Sequence, residues 1–328
     1  MQKVLLTGIT GFIGNAVLTK LLKNFSSSME ITALVRPGTD TARFDKFVGK
    51  VTIVNLDLSD IAGLKSFLSK SDFDLIIHIG ALRGGRKFSK AQFYASNVQS
   101  TEQFVDYTRL HQARLIFCSS VGVFGAIPDE LPANNESPYN GDNYYHYTKI
   151  ACEKIINRAI LGGLDAVIVR PSITYGAGDI GFPLQLVKLV KYRIFPVVKQ
   201  NLWIHLCNID TISEAFVKLA TDKSKVTGKS FIVADMEPVQ LQDLVNFIHR
   251  EIYNSNYPKW LKVDAEILHL GERISRFLHL ELWTSRFELI SHSWFYQVQD
   301  AYEQLGLPKH YTIPDFSIVI DAYLKRKK

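Results

Sequence analysis

The stretch that most limits how this chain can fold is Val4-Leu5-Leu6-Thr7-Gly8-Ile9-Thr10-Gly11-Phe12-Ile13-Gly14. An apolar run of strand character meets three glycines spaced three residues apart, and a helical pattern begins at once. Ile13, Val17 and Leu21 recur every four residues, with Ala16 and Leu18 beside them, which gives the helix one apolar face. A helix aimed back at a tight turn leaves backbone N–H groups free at its positive dipole end, where an anion is stabilised. Gly8 allows the turn, Gly11 lets phosphates approach the main chain, and Gly14 lets helix and strand pack closely. Thr7, Thr10, Phe12 and Ile13 complete this candidate pyrophosphate cradle.

Strand and helix patterns then alternate. The second strand, 31–35, ends in Arg36-Pro37-Gly38, where a dinucleotide fold places the adenosine ribose. A carboxylate there would hold the ribose hydroxyls of NAD. Arg36 instead suits a 2′-phosphate and can stack on adenine, which predicts NADP, with NAD as the alternative. The plainer reading of Arg36 is a surface arginine at a turn. The third strand, 51–56, ends in Asp57-Leu58, where a short polar side chain could reach the adenine amine. The fourth, 75–79, runs through Ile79 into Gly80-Ala81, small residues where backbone would approach a cofactor. His78 inside it reads as a packed core histidine. A helical pattern over 91–111 carries Asn97 on its inner side.

The fifth strand, 115–119, delivers Ser119 and Ser120 to the carboxyl edge on which open parallel sheets bind ligands. A loop over 128–142 follows, and then a helix opening with Tyr144-Tyr145-His146-Tyr147-Thr148-Lys149. Tyr145 and Lys149 are four apart and share one helix face. A free phenol titrates near pH ~10 and is a poor general base. An ammonium one turn away, together with an oxidised nicotinamide, would stabilise the phenolate.

With these residues in order, the chain resembles the extended short-chain dehydrogenase/reductase family, in its NAD-dependent epimerase/dehydratase branch. The matching motifs are Thr7-Gly8-x-x-Gly11-x-x-Gly14, Asp57-Leu58, His78-Ile79-Gly80-Ala81, Asn97-Val98, 119–125, Tyr145-x-x-x-Lys149 and 170–176. The resemblance implies a Rossmann-type α/β fold, a doubly wound parallel sheet with a smaller C-terminal substrate lobe. It implies that Tyr145 is the catalytic acid/base and that Lys149 holds the nicotinamide ribose. Ser120 would orient the reacting oxygen, Asn97 would support the site, and backbone at Pro171, Ser172 and Ile173 would face the nicotinamide. Residues 1–175, with 204–234 returning to them, are expected to bind the cofactor. Residues 176–203 and 235–328 are expected to bind substrate.

Departures from the family pattern narrow the reaction. Dehydratases of the branch carry an Asp-Glu pair where this chain has Val121-Gly122, so dehydration is not expected. Members that bind nucleotide sugars show a glycine-rich turn and an arginine before 208–210; this chain has neither, although Lys199 could partly substitute. Asn208 stands where the family has histidine. These features look more like the dihydroflavonol-reductase and 3β-hydroxysteroid-dehydrogenase subgroups. The expected activity is therefore NAD(P)-dependent oxidation or reduction of a hydroxyl or keto group on a small, largely apolar molecule. The rival is a nucleotide-sugar epimerase with tightly held NAD. A more distant one is a non-catalytic cofactor-sensing regulator, which would typically lack the tyrosine–lysine pair.

Composition excludes other classes. Of 328 residues 47% are hydrophobic, enough for a sizeable core, and the net charge of +6 comes without a basic, aromatic-interleaved helix, so no nucleic-acid partner is expected. No apolar run reaches membrane-spanning length. Cys118, Cys152 and Cys207 fall in apolar segments without metal-ligand spacing. No metal site is expected. A reduced cytoplasmic protein fits, its partner a small-molecule substrate, and a homodimer is left open by the resemblance. The apolar cluster Phe277, Leu278, Leu280, Leu282 and Trp283 reads as lobe packing, and Arg273, Arg276 and Arg286 as a solvated helical face.

Overall fold

The computed structural model describes residues 1–83, 88–222, 226–278 and 280–325; the side chains of residues 281 and 282 also fall outside the description. Leu282 of the apolar cluster and most of the basic tail, Arg326 to Lys328, thus lie outside the described residues.

The strands in chain order are β1 (Gln2–Thr7), β2 (Met29–Val35), β3 (Thr52–Asn55), β4 (Leu75–His78), β5 (Arg114–Cys118) and β6 (Ala166–Pro171). Short strands follow, β7 (Ile173–Tyr175), β8 (Val197–Val198), β9 (Trp203–Ile204) and β10 (Leu206–Asn208), before β11 (Ser230–Val233). Seven form one parallel sheet in the order β11-β6-β5-β4-β1-β2-β3. The order reverses between β1 and β4, and that switch point opens a crevice at the carboxyl ends of the strands.

Helices cover both faces, so the inner strands read as unbroken apolar runs. Val4, Leu6 and Ile77 enter the core that includes Val17 and Leu21 of α1 (Phe12–Phe25), while Leu5 and Ile76 enter the opposite core. The latter is closed by α2 (Ile61–Leu68), by α4 (Ser100–His111) and by α5 (Tyr144–Leu161). Ahead of α4, a short helix α3 (Lys90–Tyr94) passes through a π-helical turn, Ala95–Gln99.

Beyond β7, α6 (Phe182–Lys191) packs with α8 (Leu241–Tyr253), and α7 (Ile209–Thr221) returns to lie against α1. The helices α9 (Ala265–Phe277) and α10 (Glu281–Ser291) form a hairpin. Here the structure corrects the expectation of lobe packing: Phe277 is 82% exposed, and Leu278, Leu280 and Trp283 are also exposed. Ile267, Leu270 and Ile274 of α9 are exposed, while Gly271 meets Phe287 and Ser275 bonds Thr284 across the hairpin. Arg276 is exposed and pairs with Glu272 and Glu288, and Arg286 lies over the Trp283 ring. No helix among the described residues is long and apolar enough to cross a membrane.

Candidate active site

The glycine turn has no room for side chains. Gly8 takes φ +82°, and a Cβ on it would lie 2.7 Å from the Gly80 nitrogen. A Cβ on Gly14 would collide with the Gly8 carbonyl, and the Gly11 N–H donates to that carbonyl at 2.9 Å. The α1 N-terminus has no side-chain cap and no acidic residue in its first turn, so the chain leaves its donors unclaimed. Gly11 is exposed there, and Thr10, Phe12 and Ile13 are half-buried around it.

Thr7, expected to bind cofactor, has its hydroxyl committed elsewhere. It accepts from the Ile79 and Gly80 N–H groups at 3.1 and 2.9 Å and donates to His78 Nδ1 at 2.8 Å. Thr7 thereby ties the end of β4 to β1 and sets where Ile79, Gly80 and Ala81 lie. Burial, with Lys149 nearby, pushes the His78 imidazole well below its usual range, so it is a neutral core residue. Leu58 closes on Gly80, its Cδ1 lying 3.0 Å from where a Cβ would be.

At the end of β2, Arg36 Nε lies 3.1 Å from Asp57 Oδ2, and the guanidinium sits 5.5 Å from the centre of the Phe88 ring. Asp57 Oδ1 accepts from Ser59 N and Oγ. Asp57 is therefore the partner of Arg36, which is not a lone cation.

Lys149 is 2% exposed, and its ammonium donates to the Cys118 carbonyl at 2.6 Å. It sits 4.6 Å from the Phe117 ring centre and 6.0 Å from that of Tyr145. Ser119 Oγ is buried without a hydrogen-bond partner among the described residues, and Ser120 Oγ accepts from the Gly122 N–H at 3.0 Å. Asn97, in the π-helical turn, accepts from Leu82 N at 2.7 Å and donates to Thr148 Oγ1 at 3.0 Å. It thus fixes the loop after β4 against α5; such turns concentrate at functional sites. Pro171 ends β6, Ser172 donates its hydroxyl to the His205 carbonyl, and half-buried Ile173 begins β7. The glycine cradle, the uncapped helix end and the orphaned Ser119 hydroxyl fit a dinucleotide. Among the described residues no cluster of His, Cys, Asp or Glu could hold a metal ion.

Sequence reading missed three groupings. Arg170 and Glu153, both buried, pair through two bonds at 2.7 and 3.1 Å, and Tyr139 donates to Glu153 at 2.8 Å. Burial and the Glu153 charge push the Tyr139 phenol up to about 12. Glu153 is one turn beyond Lys149, so this pair braces α5 on β6; that four-residue spacing was the only available signal in the sequence. The second grouping joins Tyr175, Asn208, Thr312 and the buried Asp235. The third is Asp142 with His146, beside Tyr145. Lys199 pairs with Asp264 at 3.0 Å, both half-exposed, so its ammonium is shared with a carboxylate.

Comparison with known proteins places this geometry in a lineage. The model of the NAD dependent epimerase/dehydratase family matches residues 4–195. The chain is 31% identical over 212 residues to a UDP-glucose 4-epimerase of Cyamopsis tetragonoloba, covering 58% of this chain and 59% of that protein. The chain spans roughly half to three-fifths of the epimerase relatives it matches. A Stigmatella aurantiaca protein, 4-hydroxy-2-methyl-3-oxo-4-farnesyl-3,4-dihydroquinoline-1-oxide ketoreductase, is 24% identical over 287 residues, covering 84% of this chain and 82% of that one. The structure of UDP-glucuronic acid 4-epimerase from Bacillus cereus in complex with NAD shares the fold, with TM-score 0.75, 17% identity and full coverage of both chains. The chain belongs to the NAD dependent epimerase/dehydratase family, whose members are NAD-dependent enzymes of the extended short-chain dehydrogenase/reductase type.

Proposed function

We propose that this member of the family carries out reversible hydride transfer at a secondary alcohol or ketone carbon, the net reaction being inversion of a carbinol centre in a nucleotide-linked sugar. The observation that carries the reading is the placement of Lys149, a cation buried on one carbonyl at the strand edge that delivers Ser120. An ammonium so desolvated gains little structurally. Its position suits negative charge developing on the Tyr145 oxygen and the hydroxyls of a ribose.

When bound, a nicotinamide dinucleotide supplies the hydride acceptor and donor. The α1 N-terminus with Gly8, Thr10, Gly11, Phe12, Ile13 and Gly14 would hold its pyrophosphate. Arg36, Asp57 and Leu58 would take the adenosine end. Residues 79–81, Asn97, Ser119 and 171–173 would surround the nicotinamide half. Tyr145 accepts the hydroxyl proton as the carbinol is oxidised and returns it when the ketone has turned its other face. Ser120 holds the same oxygen. Residues 1–175 and 204–234 serve the cofactor, and 176–203 with 235–328 serve the substrate.

The relationship to UDP-glucose 4-epimerases supports the sugar reading over the apolar substrate expected from sequence. A second reading, reduction of a ketone with NADP, is favoured by Arg36 and by the ketoreductase match, which extends through most of this chain. The test is to release and identify the cofactor that copurifies, then to incubate the protein with UDP-galactose. Bound NAD and formation of UDP-glucose without net change in reduced nicotinamide support the first reading. Consumption of NADPH with ketones, and untouched UDP-galactose, establish the second. Tyr145→Phe should keep cofactor binding and lose about 10²–10⁴-fold in turnover; full activity in that variant ends the assignment.

A further inference from the structure

Residue 146 follows the proposed acid/base residue directly, in the first turn of α5. Its Nδ1 is in hydrogen-bond contact with Asp142 Oδ1, and Asn143 caps the helix by accepting from its backbone N–H at 2.9 Å. Asp142 is itself anchored: Ala126 N–H donates to Oδ2 at 2.6 Å and Asn143 Nδ2 to Oδ1 at 3.0 Å. Burial would raise the Asp142 carboxyl, but the bond from His146, the charge that ring carries when protonated, and the bond from Ala126 outweigh it and hold it below its ordinary range. Asn143 Nδ2 also lies 2.9 Å from Nδ1, but the ionised carboxylate can only accept, so in the neutral imidazole the proton stays on Nδ1 and the lone pair on Nε2.

That nitrogen has a defined address. A Cβ on Gly122 would collide with Nε2, Cδ2 and Cε1 of His146, so the imidazole occupies the space a side chain at 122 would fill. The Gly122 N–H is bonded to Ser120 Oγ, which puts the ring beside the serine. The His146 side chain is 14% exposed, and Nε2 has no hydrogen-bond partner among the described residues. The Tyr145 and His146 ring centres are 5.7 Å apart. From α10, Glu288 faces Asp142; burial, with Asp142 and Glu272 nearby, raises its carboxyl despite its bond to Arg276.

We propose that His146 is a specificity-determining residue whose Nε2 accepts a hydrogen bond from a second substrate hydroxyl, on a carbon next to the reacting one. The substrate class is then a vicinal diol, as in a sugar, and not an isolated alcohol or ketone. Nε2 has no donor among the described residues, so it is left to a hydroxyl from outside the chain, a water or a ligand. The two rings lie 5.7 Å apart between centres, close enough for one small ligand to touch both. The inference rests on the proposed hydride-transfer reading and deepens it.

The test pairs UDP-glucose with UDP-3-deoxyglucose and cyclohexane-1,2-diol with cyclohexanol, on cofactor-loaded wild type, His146→Phe and Asp142→Asn. Turnover gives kcat/KM, and the His146 Cε1–H resonance reports contact without requiring turnover. In the wild type the diol member should be favoured about tenfold, the worth of one hydrogen bond to a fixed acceptor, and should shift the resonance. His146→Phe, which keeps a flat ring over Gly122, should collapse the preference to within about twofold, and Asp142→Asn should weaken it. Equal preference in wild type and His146→Phe, or a resonance moved by neither diol, overturns the proposal. No turnover of any probe, with the resonance still moved by a diol only, overturns the hydride-transfer reading and leaves the His146 contact standing.

Discussion

Replacing Lys149 by Met separates a residue kept for function from one kept for stability. The ammonium is 2% exposed, with one carbonyl partner at 2.6 Å and the Phe117 ring 4.6 Å away. Desolvating it costs about 5 kcal/mol after relaxation. One hydrogen bond to a charged group returns about 1.5–3 kcal/mol, and a desolvated cation–ring contact about 1 kcal/mol. The balance is an apo protein that gains about 1–2.5 kcal/mol when Met, of similar length and apolar, takes the position. Urea unfolding of both apo proteins measures it. With cofactor in excess the order should reverse, because the wild type gains binding free energy that the variant has lost. An apo Lys149→Met that is less stable than wild type by more than about 1 kcal/mol would show the lysine to be a structural member, and the argument from its burial would fail.

Three further outcomes follow from the same geometry. Gly14→Ala should lose about 1–3 kcal/mol of stability through collision with the Gly8 carbonyl, and cofactor binding with it; a stable variant that still binds cofactor refutes the cradle. Arg36→Ala should weaken NADP about tenfold, the lower end for a charged hydrogen bond, and NAD about twofold or less, since Asp57 already shares the guanidinium; parallel losses in titrations of both cofactors would remove the 2′-phosphate contact. Asp235 is raised to about 6 by burial, against hydrogen bonds from Thr312, Asn208 and Tyr175 that lower it. A raised carboxyl favours the folded state when protonated, so its contribution is present below pH ~4 and is lost as pH rises through about 6, worth about 3 kcal/mol. Urea unfolding from pH ~4 to ~7 should show that slope in the wild type and a flatter one in Asp235→Asn; equal slopes refute it.

The strand–turn–helix at the N-terminus was legible because both its constraints are local. Gly8 needs a positive φ, and the four-residue recurrence of Val17 and Leu21 needs one buried face. The start of α5 at Tyr144 was equally readable, since a polar loop ends at the capping Asn143. Periodicity also identified α9 as amphipathic, but it says only that one side is apolar. Which way Ile267 and Phe277 face depends on neighbours more than two hundred residues from the sheet's first strand, and in the fold they face out.

Short-range spacing in the chain was enough for the strand, glycine turn and helix at 4–25 and for a helix opening at Tyr144 with Tyr145 and Lys149 on one face, while the doubly wound sheet came from the family resemblance. Packing alone brings Arg36 to Asp57 and Lys199 to Asp264, and lays an imidazole in the space above Gly122. Each of those joins elements distant in the chain, or fills a volume that spacing does not specify. A charge or a ring takes its role from what surrounds it in space, and that is settled only when the layers pack.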